Sequence, residues 1–149
     1  LVGGVEVLFG DTADQVMENA ANAFATAGIS ANDYMETVTG FAASLTSSLG
    51  DNAWQAASYA DEAITDMADN ANRMGTSMES IMNAYGGFAK GQFNMLDNLK
   101  LGYGGTKEEM ERLLRDAEAM EGYMEGSFDI DNFADVVEAI HIVQQKIPQ

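Results

Sequence analysis

Cysteine is absent from this 149-residue chain, so it can build no disulfide framework, thiolate nucleophile or thiolate metal site. Proline occurs once, at Pro148, which leaves everything before it free of the strongest helix breaker. Basic residues are scarce: 7 Lys and Arg stand against 24 Asp and Glu, a formal net charge of −17, and none precedes Arg73. A phosphate backbone or an anionic membrane surface would meet an almost unopposed negative field in the first half, so neither nucleic acid nor a membrane is an expected partner. No stretch approaches the roughly 20 consecutive apolar residues of a membrane span. The first residues also lack the basic region and unbroken apolar core of a secretory signal. The chain opens on Leu1-Val2-Gly3-Gly4 without an initiator methionine and stops at Ile147-Pro148-Gln149 directly after an apolar helical pattern, so a fragment of a longer protein is expected.

What the chain does contain is alanine, ten methionines and apolar residues at helical spacing. Its length suits one domain, residues 1–149, and a compact chain of this size buries roughly 68–70% of its unfolded surface. From Asp11 to Gly28, the set Ala13, Val16, Met17, Ala20, Ala23, Phe24 and Ala27 repeats at steps of three and four, the signature of a buried helical face. A second helix is expected from Ser30, where Ser30-x-x-Asp33 resembles a capping box, along Tyr34, Val38, Phe41, Leu45 and Leu49 to Gly50. The third runs from about Asn52 to Met74, with Ala53, Ala56, Ala60, Ala63, Ile64, Met67, Ala71 and Met74 on one side and Asp61, Asp66, Asp69 and Asn72 on others.

Gly75 and then Thr76-x-x-Glu79 read as a stop and a fresh capping box, opening a fourth helix through Met78, Ile81, Met82, Tyr85 and Phe88 that Gly86-Gly87 is expected to weaken. A short helical turn and a glycine-rich loop should fill Lys90 to Gly105. Thr106-x-x-Glu109 is the clearest capping box, and Met110, Leu113, Leu114, Ala117 and Met120 define a fifth helix whose charged residues lie largely off that stripe. After a loop from Gly122 to Ile130, Asp131 caps a sixth helix facing inward through Phe133, Val136, Val137, Ile140, Val143 and Ile147. The expected fold is all-α, about six amphipathic helices in an irregular bundle. The alanine-lined helices one and three give thin burial, so copies of the chain or neighbouring chain would complete the core.

Candidate chemistry is sparse. His141, the only histidine, sits in the apolar run Ile140-His141-Ile142-Val143 and reads as a partly buried helical residue rather than an acid/base, since no second histidine or Ser–His pairing accompanies it. Asp129-x-Asp131-x-Phe133 begins like a calcium loop, but Phe133 occupies the third ligand position. The run Gly102 to Lys107 offers glycines, Thr106 and Lys107 ahead of a helix, yet lacks phosphate-loop spacing and a preceding strand. Adjacent carboxylates such as Asp61/Glu62 and Glu108/Glu109 diverge around a helix and suit a solvated face better than a glycosidase pair. Met17, Met67, Met74, Met78, Met82 and Met110 fall on core stripes rather than forming an adaptable groove, and Trp54 with Tyr59 suits a helix contact. The expectation is a non-enzyme, with no catalytic residue, metal or cofactor.

Three stretches, Gly28 to Thr46, Ala63 to Gly86 and Gly87 to Ala119, resemble the bacteriophage tail tape-measure, or minor tail, family. The most specific part runs from Met95 through Glu109 and reads LDNLKLGYGGTKEE after the methionine. Together they cover most of residues 28–119, and residues 1–27 and 120–149 match less specifically. The resemblance implies a much longer parent protein, made in the bacterial cytoplasm and carried in the virion tail. Its helical length sets tail length, tail-tube subunits polymerise around it, and tail-tip proteins, assembly chaperones and further copies of itself are its partners. This segment resembles a compact helical head toward the N-terminal side of such a protein. A rise of about 1.5 Å per residue lets a long helix convert sequence length into distance without any reacting group. The competing expectations are a peptidoglycan-cleaving tail domain and an acidic helical adaptor that binds a basic partner.

Overall fold

The structure, a computed structural model, describes residue 18, residues 31–50 and residues 53–146. Among these it contains five α-helices: α1 (Ala31–Ser48), α2 (Ala53–Met74), α3 (Met78–Ala89), α4 (Lys107–Glu121) and α5 (Phe133–Lys146), with a 3₁₀ turn at Leu96–Leu99 between α3 and α4. The all-α expectation holds, with five helices where six were expected, because the helix expected over Asp11 to Gly28 lies outside the described residues. None of the described helices is long and apolar enough to cross a membrane.

Alanine sets the packing. Ala56, Ala60 and Ala63 of α2 are fully buried, and their small side chains let α1, α3 and α5 approach closely. Larger groups fill the centre: Leu45 from α1, Met67 from α2, Ile81 and Tyr85 from α3, Leu113 and Leu114 from α4, and Val137 and Ile140 from α5. The seam between α4 and α5 is the most extensive, and Leu96, Leu99 and Phe93 close the bundle from the irregular stretch. The C-terminal end of α1 meets the start of α5, where the Ser48 hydroxyl accepts from Phe133 N (3.2 Å) and Asn132 donates to the Ser48 carbonyl (3.1 Å).

Local signals place the helix ends. Thr106 caps α4, its hydroxyl accepting from Glu109 N at 3.1 Å. The reciprocal half of the box lands two residues early, because Glu109 Oε1 accepts from Gly104 N (3.0 Å) rather than from the cap residue. Gly105 lies so close to Asn94 that a Cβ there would overlap the Asn94 carbonyl oxygen, so this loop needs glycine for a packing reason. At the far end of α4, Gly122 adopts φ +72°, with Tyr123 N donating to Glu118 O (2.8 Å) and Gly122 N to Ala119 O (3.3 Å), a Schellman closure.

Several expectations shift. Ser77, not Thr76, caps α3 by accepting from Ser80 N; the Thr76 hydroxyl turns back to donate to Asn70 Oδ1 at 2.8 Å, leaving the next hydroxyl for the cap. Gly86 and Gly87 do not interrupt α3, which continues to Ala89. Asn132 rather than Asp131 caps α5, accepting from Asp135 N at 3.1 Å, while Asp131 N is engaged by Asp129 Oδ1 at 2.9 Å. Met120, expected on the α4 stripe, is 42% exposed, and the buried place in that last turn belongs to Glu118.

Candidate functional site

Three of the four buried polar residues among those described, Asp66, Asn70 and Gln144, gather where α2 runs beside α5. Positions 56, 60, 63, 67, 70 and 74 follow a three-four spacing along the inner face of α2, and Asn70 occupies one of these core positions. Its amide donates to Leu99 O (2.9 Å) and to Gln144 Oε1 (3.0 Å), and its oxygen accepts from Thr76. Gln144, equally buried, donates to Asp66 O at 2.8 Å. Arg73 pairs with Asp69 at 3.1 Å on the same side of the helix. Asn70, Gln144, Thr76 and the Asp66 carbonyl satisfy one another here, which is what burial of polar groups demands.

One turn further along, carboxylates converge on His141. Its Nδ1 lies 3.0 Å from both carboxylate oxygens of Asp66, which is 1% exposed, and its Nε2 lies 3.2 Å from Glu62 Oε1. Asp66, expected on a face away from the apolar stripe, is buried, and His141 is the partly buried helical residue expected, with two carboxylates beside it. The pairings 62 with 138, 66 with 141 and 70 with 144 advance together, so α2 and α5 run in the same direction along this seam.

Burial pushes the Asp66 carboxyl up to about 6, against the hydrogen bond and charge of His141, which pull it down. Burial, a hydrogen bond to Glu138 and that residue's charge raise Glu62, again opposed by His141. For His141 itself, burial lowers the pKa, but the Asp66 hydrogen bond and the charges of Asp66, Glu62 and Glu138 outweigh it and raise it. The carboxylates thereby favour the protonated form of an imidazole that bridges two helices.

An Asp–His pair is also the orienting half of a nucleophile-activating triad. Here the position beyond Nε2 is filled by the acceptor Glu62 and not by a hydroxyl. The adjoining surface is an open depression of about 470 Å³ between Tyr59, Glu62 and Glu138, with Gln55 and Ser58 at its edge. The arrangement can hold and share protons between helices.

The remaining sequence candidates sit elsewhere. Glu109 forms an ion pair with Arg112 (2.7 Å), whose guanidinium stacks 4.2 Å from the Tyr103 ring centroid and donates to Gly102 O. That arginine and the Gly104 N–H hold the Glu109 carboxyl down at about 2, so the Gly102 to Lys107 loop is clasped by its own helix. Asp129 and Asp131 form a local turn. Met67, Met78, Met82 and Met110 lie in the core, as expected, and Met74 packs partly buried against it. Met17 and the side chain of Trp54 lie outside the described residues, and Tyr59 borders the open depression. Among the described residues no group of three or more His, Asp or Glu side chains is placed to hold a metal ion.

Sequence reasoning missed one further buried carboxylate. Glu118 is 1% exposed and accepts from Phe128 N (2.7 Å) and Gly126 N (3.2 Å), with Arg115 Nε 3.0 Å away but out of line for a hydrogen bond. Its spacing of four from Leu114 was the available signal. No family model, curated protein or solved structure matches the chain.

Proposed function

We propose that this chain is a structural and assembly module of a phage tail tape-measure protein, a compact helical segment rather than the measuring rod itself. The resemblance over residues 28–119 supports the family. The single observation that carries the structural reading is the α2–α5 seam, whose ionisable and amide groups are consumed in holding two helices in register. Polar groups spent on helix pairing are a scaffold's use of them, and buried polar pairs of this kind serve to specify register. The location in the virion tail and the tail-tube, tail-tip and chaperone partners follow from the same reading. Because tube subunits enclose such a protein in the intact tail, an antibody raised against residues 53–146 should label, on blots, the dissociated tails purified from particles carrying the parent gene. Labelling confined to the capsid, or none, overturns the proposal.

The Glu62–Glu138 pair favours the alternative of a cell-wall hydrolase, because a carboxyl kept protonated beside a surface depression is a general acid in waiting. The two carboxyls are hydrogen-bonded to each other, whereas a retaining glycosidase separates its pair by about 5–5.5 Å. The chain should therefore clear no peptidoglycan, and clearing that E62Q or E138Q abolishes would reverse the assignment.

A further inference from the structure

Three of the seven basic residues are engaged by carboxylates of their own chain: Arg73 by Asp69, Arg112 by Glu109 and Asp116, and Arg115 by Glu118. Lys90 and Lys107 form no ion pair with any described residue, and both line one cavity of about 420 Å³ between the ends of α1 and α3 and the starts of α4 and α5. Its apolar lining comes from Ile130 and Ala89 with Phe88, Phe93 and Phe133, each of these rings less than 10% exposed; serines of α1 line the remaining wall, and Asp131 is the one carboxylate at its edge. A cavity with apolar side chains at its floor, hydroxyls on one wall and two lysines without ion-pair partners among the described residues, in a chain of net charge −17, suits an apolar group flanked by negative charge.

The chain itself presents such a group. The large hydrophobic residues exposed among those described cluster in one turn after α4: Met120 (42%), Tyr123 (51%) and Met124 (82%). Glu121 and Glu125 flank them, both exposed. The turn is fixed before any partner arrives, because Tyr123 packs edge-on against Phe128 at 5.8 Å and Glu118 holds the Gly126 and Phe128 amides. Ordering costs on binding are therefore small.

We propose that this turn docks into the Lys90/Lys107 cavity of a second copy of the chain. Met124 enters against the phenylalanine rings, a contact its polarisable sulfur favours, and Glu121 and Glu125 meet the two lysines. The proposal deepens the assembly reading, and it rests on that reading in taking the chain to work as an oligomer. Two copies of charge −17 repel at long range, so the contact forms where salt screens beyond about 8 Å, near physiological ionic strength.

The test is the mass of the chain against concentration, by sedimentation and light scattering, for wild type, M124D, K107E and K90E/K107E, each checked for native helicity by circular dichroism. Wild type should associate, and M124D and K90E/K107E should each weaken association at least tenfold. An equimolar mixture of those two, which retains one intact turn and one intact cavity, should recover hetero-association. K107E, at an exposed site in the first turn of α4, carries the test should the double variant lose helicity. Association unaffected by any variant overturns the contact, leaves the cavity to another occupant such as a small carboxylate or phosphate, and leaves the assembly reading standing. A wild type that stays monomeric throughout also overturns the contact, while tail labelling judges the assembly reading separately.

Discussion

Replacing Glu118 by alanine is expected to destabilise the fold by about 3 kcal/mol and to lower its melting temperature by about 10 °C. The cost arises in the loop rather than in the ion pair. Arg115 is 37% exposed and also donates to Phe128 O, so it can turn to water when its carboxylate is removed. The Phe128 amide has no such recourse, because it is buried where its segment folds over the last turn of α4, whereas the Gly126 amide lies nearer to solvent. Leaving a buried donor without its acceptor costs about 1–3 kcal/mol for each group. E118Q keeps one oxygen but presents an NH₂ where the second acceptor stood, so about half of the loss should remain. Urea unfolding followed by circular dichroism gives the magnitudes, and amide exchange at Gly126 and Phe128 should accelerate in both variants. An E118A protein within 0.5 kcal/mol of wild type would show that water can replace the carboxylate and that the loop is not held as described.

The same residue shows where sequence reasoning stopped. Glu118 stands four residues after Leu114 and Asn70 falls in the three-four spacing of α2, yet a polar residue on an apolar stripe is ordinarily assigned to the flank. Their burial depends on partners remote in sequence: Gln144 lies 74 residues from Asn70, and His141 lies 75 from Asp66. Helix ends were legible because capping is local. Thr106 and Gly122 act where their sequence contexts place them. The two displaced caps, Ser77 for Thr76 and Asn132 for Asp131, involve adjacent residues of similar capping ability, and tertiary or loop hydrogen bonds broke the tie. Of the candidate site, His141 was visible as a lone histidine on an apolar helix. The carboxylates that grip it were hidden among 24 acidic residues, none of which carries a sequence mark of its burial.

Acid should stabilise this protein. The folded state raises the pKa of Asp66 from 3.8 to about 6, and it raises Glu62 above 4.5 and His141 above 6.5. Each group therefore binds its proton more tightly in the folded chain than in the unfolded one. The stability linked to those protons is complete below the unfolded values and is lost as pH climbs through the folded ones, from about 4 to 6 for Asp66 and from neutral upward for His141. The rise from 3.8 to about 6 at the buried Asp66 corresponds to at most about 3 kcal/mol, and partly exposed Glu62 adds a solvent-screened amount. Tyr59 and Tyr85 face the same cluster and stay protonated throughout, because burial raises both. The melting temperature at pH 5 should exceed that at pH 8 by roughly 5–10 °C. Relief of the −17 self-repulsion acts in the same direction, so the cluster must be separated from the general field. E62Q removes one charge and one titration inside the cluster, whereas E111Q removes one charge from an exposed position on α4. E62Q should flatten the decline above neutral pH and E111Q should leave its shape unchanged. Equal effects from the two would assign the pH dependence to net charge alone, and a melting temperature that rises from pH 5 to pH 8 would mean that Asp66 is ionised and relaxed in the folded chain, contrary to its burial against His141.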